Sequence, residues 1–252
     1  MLSKNDIKNI KSLEQKKFRD EKRLFVAEGH KLVGELLGKF KCILLAATEE
    51  WMKNHRNIPA DRVETVSPDE LKRASLLRSP QDVLALFAIS QSPLDMSSSA
   101  SNNLVLALDD IQDPGNLGTI VRIADWFGIK DIFCSRNTAD IYNPKSVQAT
   151  MGAIARVRLH YTDLTPEISA LPTNIPVYGT FLDGETIYEA KLSSNGVIVM
   201  GNEGNGISED VEKHVRRRLY IPNWPAGSAT SESLNVAIAT AITCSEFRRR
   251  QF

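Results

Sequence analysis

Residues 104–135 read LVLALDDIQDPGNLGTIVRIADWFGIKDIFCS. Two periodicities meet in this stretch, and together they decide the fold. LVLAL is apolar throughout, as a strand is when both faces of a parallel sheet are covered. From about Leu117 to Phe127 the apolar positions Ile120, Ile123, Ala124 and Phe127 share one helical face, and Gly128 suits a left-handed helix C-terminus. DIFCS then returns to strand. Downstream, ARVRLHY, IPVYGTF, GVIVMG and RLYIP also read as strands, with helical patterns between most of them. Alternation of this kind predicts an α/β fold with an open, mostly parallel sheet over residues 104–252.

Open parallel sheets bind ligands at the carboxyl ends of their strands. The loops to inspect are therefore DDIQDPGNLG, GTFLDGE, GNEGNGIS and IPNWPAGSATSESLN. None carries a common nucleotide or hydrolase motif. DPGNLG is not G-x-G-x-x-G, GNEGNG follows a late strand rather than the first, and neither a P-loop nor a G-x-S-x-G elbow occurs. His30, His55, His160 and His214 are too scattered for metal-ligand spacing. What the loops do carry is three polar clusters: Asn116 with Arg122, Glu203, and Ser233 with Asn235. Each has an ordinary structural explanation. Asn116 could cap its helix, Ser231 could cap the last helix with Asn235 early inside it, and Glu203 could be a loop carboxylate. Arg122, one or two positions from Ile120, Ile123 and Ala124, sits at the edge of a buried face. Three such clusters at strand ends call for a common explanation.

Upstream, SQSPLDMSSSASNN (Ser90 to Asn103) lacks periodic apolar positions and reads as a linker over 93–103. Residues 1–92 form a separate small α/β domain. Asp6 to Phe18 reads as a helix, then FVAEG, CILLA, RVETV and DVLALFAI as strands, with HKLVGELL and SPDELKRAS as helices between them. Ser67, Pro68 and Glu70 form a capping-box start. Trp51 and Phe87 read as core side chains.

Composition excludes several classes. No apolar run reaches the ~18 residues of a membrane span, and the polar N-terminus does not read as a secretory signal. Cys42, Cys134 and Cys244 have neither disulfide-scaffold nor zinc spacing, and read as reduced, core-facing thiols of a cytoplasmic protein. The formal net charge is zero, yet Lys4, Lys8, Lys11, Lys16, Lys17, Arg19, Lys22 and Arg23 crowd the start. Such a cluster is either a solvated helix face or a phosphate-binding surface.

The three clusters resemble the three motifs of the SpoU (TrmH-like) family of RNA ribose 2′-O-methyltransferases in the SPOUT superfamily. NLGTIVRIA (Asn116 to Ala124) fits N-x-G-x-x-x-R-x-A, and GNEGNGIS (Gly201 to Ser208) fits G-x-E-x-x-G-hydrophobic-S. Ile221–Pro222 followed by SLNVAIATAI and Glu246 resembles the third motif. Residues 1–92 are similar, less specifically, to the family's RNA-binding substrate domain, with Asp82 where the family often has Gly. The resemblance implies a SPOUT parallel-sheet domain with a deep trefoil knot, an exception to the usual avoidance of knots. It implies a homodimer, S-adenosylmethionine as cofactor, and ribosomal or transfer RNA as substrate.

By the same resemblance Thr180, Gly201, Ile221 and Leu234 bind the cofactor, partly through backbone groups. Asn116, Arg122, Glu203, Ser233 and Asn235 form the catalytic set, and no metal is required. Proposals for the family make Arg122 a general base. A guanidinium pKa above ~12 favours a milder role, in which Arg122 anchors a phosphate and lowers the pKa of the nearby hydroxyl. Glu203 would then orient that guanidinium. Asn116 would position the RNA, and Ser233 and Asn235 would order the loop. The competing reading is a non-catalytic RNA-binding or ribosome-assembly protein, against which all five polar positions stand. Base methylation is a third, less supported by ribose-type motifs. The loop from Ile221 to Ser233 is about four residues longer than the family usually has. Gly227 takes the motif-glycine position, and Trp224 and Pro225 either cover the cofactor or pack on the surface. Arg216 to Arg218 and Arg248 to Arg250 have no clear assignment.

Overall fold

The computed structural model describes residues 1–90, 93, 95–225, 228 and 233–251. In chain order the first elements are α1 (Lys4–Ser12), α2 (Lys16–Lys22), β1 (Leu24–Glu28), α3 (His30–Leu36), β2 (Cys42–Ala47), α4 (Glu49–Lys53), β3 (Val63–Thr65), α5 (Pro68–Ala74) and β4 (Val83–Ala88). Then come α6 (Met96–Asn102), β5 (Leu104–Leu108), α7 (Pro114–Trp126), β6 (Asp131–Ser135), α8 (Pro144–Thr150), β7 (Arg158–Thr162) and α9 (Leu164–Ser169). The chain ends with β8 (Val177–Phe181), β9 (Glu185–Thr186), β10 (Gly196–Met200), α10 (Glu209–Glu212), β11 (Arg217–Tyr220) and α11 (Val236–Arg249).

The chain forms two compact units, residues 1–91 with 140–155, and residues 92–139 with 156–252. In the first, a four-stranded sheet runs in the order β1-β4-β2-β3, with β2–β3 the parallel pair. Val26, Leu84 and Leu86 pack with Ile10, Leu13 and Leu71 of the α1–α5 side. Phe25, Ala27, Leu45 and Phe87, alternating with them, are equally buried, so this sheet has two apolar faces to cover. Residues 140–155 help cover the second. The Tyr142 ring lies 4.9 Å from that of Phe25, and Gln148 Nε2 donates to the Glu28 carbonyl at 2.9 Å. Arg19, 2% exposed, donates from Nε and Nη2 to Asp140 Oδ2 at 2.9 and 2.6 Å and from Nη1 to the Leu13 and Glu14 carbonyls. A buried guanidinium with this many acceptors escapes the cost of an unpaired charge.

The single helix expected over Asp6–Phe18 is two helices. Leu13 ends α1, and its buried side chain together with the carbonyls used by Arg19 turns the chain there. Ser67 and Glu70 do form a capping box on α5, and Trp51 and Phe87 are buried. All three cysteines are buried free thiols. Burial pushes Cys42 up to about 11 and Cys244 up to about 12.

The second unit is a fully parallel seven-stranded sheet in the order β7-β6-β5-β10-β8-β11-β9. Val105, Ala107, Phe133, Val177, Val197 and Val199 line one face with residues of α6, α9 and α10. The alternate residues Leu106, Ile132, Tyr178 and Ile198 are also buried. On their side Phe247 of α11 meets Tyr178 edge-on at 4.9 Å, and α11 packs on α7. Part of the expected linker is α6. Asp95 caps it, and Met96 and Ala100 enter the core, a single apolar stripe too short to stand out among serines.

The C-terminal end of α11 is tied down by Glu246. Its carboxylate, 6% exposed, accepts from Arg249 Nη2 at 2.8 Å and Arg250 Nε at 2.9 Å. Arg250 also donates to the carbonyls of Ile187, Tyr188 and Ala190. These charges hold the Glu246 carboxyl down at about 2, below its usual 4.5. A carboxyl depressed by folding contributes stability above its unfolded pKa and loses it as pH falls through the folded one. Glu246→Gln should therefore lower stability at pH 7 by about 1.5–3 kcal/mol. The gap from wild type in thermal or urea unfolding should close as pH falls from about 4.5 to about 2.

Candidate active site

The strands β5, β10, β8 and β11 are neighbours and run the same way, so their following loops gather at one pole. Asp113 caps α7 by accepting from the Asn116 backbone N–H at 2.9 Å. Pro114 occupies the first helical position. Because Asp113 does the capping, the Asn116 side chain is free to reach out of the first turn. It donates from Nδ2 to Glu203 Oε1 at 2.7 Å. Asn235 Nδ2 donates to the same oxygen at 2.9 Å and to Asn116 Oδ1 at 3.1 Å, and the Val236 backbone N–H adds a longer bond at 3.3 Å. Three segments, set 87 and 32 residues apart along the chain, thus meet on one carboxylate oxygen. The N-terminus of the fourteen-residue α11 stands beside it, where the helix dipole favours negative charge.

Asn235 is itself the N-cap of α11, its Oδ1 accepting from Ala237 and Ile238 N–H groups. It is not a residue inside the helix, and Ser231, the other candidate cap, lies outside the described residues. Ser233 Oγ comes within 3.5 Å of the Glu203 carbonyl. Arg122 is on α7 with an exposed side chain. Among the described residues Glu203 bonds to Asn116, Asn235 and Val236 and not to Arg122. The expected contact between Glu203 and that guanidinium is not made among the described residues. Glu203 organises the loops, and Arg122 faces solvent with no ion pair among the described residues.

Glycine and asparagine shape the loop that carries Glu203. A Cβ on Gly201 would lie 2.3 Å from Gly206 C and Ile207 N, so the hairpin closes only because Gly201 has none. Asn202 and Gly206 exchange backbone bonds at 2.8 and 2.9 Å. Asn202 Oδ1 accepts from the Gly204 and Asn205 N–H groups, and its Nδ2 donates to the Asp110 carbonyl at 2.8 Å. The buried Asp109 accepts from Ser208 N–H at 2.8 Å. Asn202 and Asp109 are the site residues that sequence reading missed. Their signal was position, inside the second motif and directly after a strand.

Of the other expected positions, Thr180 is half-buried at the end of β8, with Oγ1 donating to the Val199 carbonyl at 3.5 Å. Ile221 is half-buried and Leu234 is 46% exposed. Thr180, Gly201 and Ile221 stand at the ends of the neighbouring strands β8, β10 and β11. Trp224 is 89% exposed and does not pack on the surface. Gly227 lies outside the described residues.

Asn202→Ala removes the acceptor of two backbone amides and one clamp to Asp110. Hydrogen exchange at Gly204 and Asn205 should quicken by tenfold or more while the β10 amides exchange as in wild type. Unchanged exchange at both amides would contradict the bracing role.

Comparison with known proteins places this geometry. Residues 103–245 match the SpoU rRNA methylase family, and residues 4–85 match the MRM3-like substrate binding domain. The 23S rRNA (guanosine(2553)-2′-O)-methyltransferase RlmP of Bacillus subtilis is 32% identical over 249 residues, 94% of this chain and 93% of that protein. The Escherichia coli 23S rRNA (guanosine-2′-O-)-methyltransferase RlmB is 31% identical over 160 residues, 62% of this chain and 64% of its own. Among solved structures, a TrmH-family chain from Porphyromonas gingivalis superposes with a TM-score of 0.89 at 42% identity, covering 99% of both chains. An AdoMet-bound rRNA methyltransferase from Sinorhizobium meliloti gives 0.84 at 29% identity, covering 100% of this chain and 98% of its own. The matches span both compact units, and the motif residues fall on the loops that converge at Glu203; the chain belongs to the SpoU rRNA methylase family.

Proposed function

We propose that this protein transfers a methyl group from S-adenosylmethionine to the 2′-hydroxyl of a ribose in ribosomal or transfer RNA. The observation that carries the reading is the convergence of Asn116, Glu203 and Asn235, from three separate loops, on a single carboxylate oxygen. The near-full-length similarity to a 23S rRNA 2′-O-methyltransferase supports ribosomal RNA over transfer RNA.

The residues at the pole suit the cofactor. Gly201 permits close backbone approach, and Leu182 and Leu234 are 73% and 46% exposed, apolar walls that a flat purine would cover. Thr180, Gly201, Ile221 and Leu234 would hold it. When bound, S-adenosylmethionine supplies a methyl already activated by its sulfonium charge. The protein's work is then alignment and management of one hydroxyl proton. Arg122, exposed and unpaired among the described residues, is free to take an RNA phosphate and to stabilise negative charge developing on the 2′-oxygen. Glu203 fixes Asn116 and Asn235 around it, and Ser233 braces the loop.

The protein acts as a homodimer in the cytoplasm. Arg122 and Trp126 lie one turn apart on α7, and Trp126 is 85% exposed. Ile238, on the α11 that packs beside it, is 53% exposed. Apolar side chains this open on two packed helices support a face covered by a second copy. Buried free thiols support a reducing compartment. No helix among the described residues is long and apolar enough to cross a membrane. The trefoil threading belongs to the same reading, supported by the likeness of the fold to the TrmH-family chain. The first unit docks RNA through the exposed Lys4, Lys8, Lys11, Lys16, Lys17 and Arg23, as a substrate-binding domain would; Arg19, buried against Asp140, takes no part.

Arg122→Ala should lower methyl transfer at saturating RNA by ~10²-fold or more, measured with tritiated S-adenosylmethionine. Calorimetric binding of the cofactor should be unchanged. Full transfer by the variant would sink the assignment, and failure of the wild type to bind S-adenosylmethionine would favour a non-catalytic RNA-binding role. Trp126→Lys should give a monomer by light scattering. RNA affinity should fall steeply with added salt, and a salt-insensitive affinity would remove the basic segment from the interface.

A further inference from the structure

Arg218 sits on β11, beside β8, and its guanidinium holds three partners at once. It lies 3.6 Å from the centroid of the Phe181 ring. It donates from Nη2 to Asp183 Oδ1 at 2.5 Å and from Nη1 to a Glu212 carboxylate oxygen. A planar cation can stack flat on an aromatic face while its edge serves two carboxylates; an ammonium has no plane to stack and no fixed fork of donors. Two glycines make the arrangement possible. A Cβ on Gly179 would lie 2.6 Å from a Phe181 ring carbon, so the ring folds back over bare backbone. Gly184, at φ +125°, brings its Cα against the Arg218 carbonyl, where a Cβ would lie at 2.7 Å. The turn Leu182–Gly184 is thus strapped to Arg218 by its side chain through Asp183, by the ring before it, and by backbone packing after it.

The strapped turn leaves Leu182 73% exposed. β8 lies between β10 and β11, and adjacent strands are about 4.8 Å apart, so the turn stands between the loops that begin at Gly201 and Ile221. An ordinary solvent-facing turn would not require such restraint. Pairs between partly exposed charges contribute little to stability, so the consequence of the cluster is geometric.

We propose that Arg218 is a positioning residue that fixes the Thr180–Gly184 turn in the shape that receives the adenosine part of S-adenosylmethionine. The inference rests on the assignment of Thr180 and Gly201 to the cofactor pocket. Arg218 does not touch the reacting atoms; it acts through Phe181, Asp183 and Glu212.

The test uses the full-length protein, titrated calorimetrically with S-adenosylmethionine and assayed on RNA, as Arg218→Ala, Arg218→Lys and Asp183→Asn, with Gly201→Ala alongside. Arg218→Ala should raise Kd and KM for S-adenosylmethionine tenfold or more. Its kcat at saturating cofactor should stay within about twofold of wild type, with KM for RNA unchanged. Arg218→Lys, which keeps a charge for Asp183 but loses the flat stack, should recover part of the affinity, and Asp183→Asn should show a smaller loss of the same kind. If Arg218→Ala binds cofactor normally while Gly201→Ala does not, the Arg218 role is wrong and the pocket assignment stands. Normal binding by both would remove the pocket assignment and the inference with it. A rise in RNA KM alone would identify Arg218 as a phosphate contact and overturn the proposal. Should Arg218→Ala fail to fold, Arg218→Lys and Asp183→Asn decide, and wild-type cofactor affinity in both would overturn it.

Discussion

One carboxylate oxygen holds the functional pole together. Glu203 Oε1 accepts from Asn116, from Asn235 and from the adjoining first amide of α11, so two chain segments outside its own loop are tied to it. A parallel sheet delivers its loops to one end but does not fix their mutual distances, since each loop is anchored only at its own strand. A shared charged acceptor does so, because charge-assisted hydrogen bonds are short and directional. The supporting contacts follow a hierarchy. Asp109 and Asn202 tie the Glu203 loop to the end of β5, and Ser135 and Thr138 in turn hold the end of β5 through the Asp110 N–H and the Leu108 carbonyl.

This division of labour also explains why Arg122 stands apart. A guanidinium already committed to Glu203 would have to break that pair to reach a phosphate, at the cost of a desolvated contact. With Glu203 satisfied by two amides and a backbone N–H, the cation is available and the carboxylate is not left unpaired. Asparagine serves better than lysine or arginine at positions 116 and 235 for the same reason. It donates to the carboxylate without adding a charge at the pole.

Much of the second unit was legible in the sequence because its signals are local. The all-apolar runs at Leu104–Leu108 and Gly196–Met200 mark the central strands, and the glycines and polar residues after them mark the loops. The candidate site residues follow from motif resemblance; what spacing cannot supply is their partners. Nothing local says that Glu203 bonds to Asn116 rather than Arg122, since that depends on which rotamers the neighbouring strand ends allow. Misreadings elsewhere have the same origin. The break between α1 and α2 is set by the Leu13 and Glu14 carbonyls being drawn to Arg19. The helix at Met96–Asn102 is held by burial of two small apolar contacts in a distant core rather than by its own serine-rich propensity.

The least legible feature is the detour of residues 140–155 into the first unit. Its consequence lies in time rather than space. A chain made from its N-terminus exposes residues 1–91 well before Asp140 and Tyr142 exist. The sheet side bearing Phe25 and Phe87 then waits for its aromatic cover and Arg19 for its carboxylate. The N-terminal unit, although first in sequence, cannot reach its final packing until synthesis has passed β6 of the other unit, so the two maturation steps are ordered by the ribosome rather than independent.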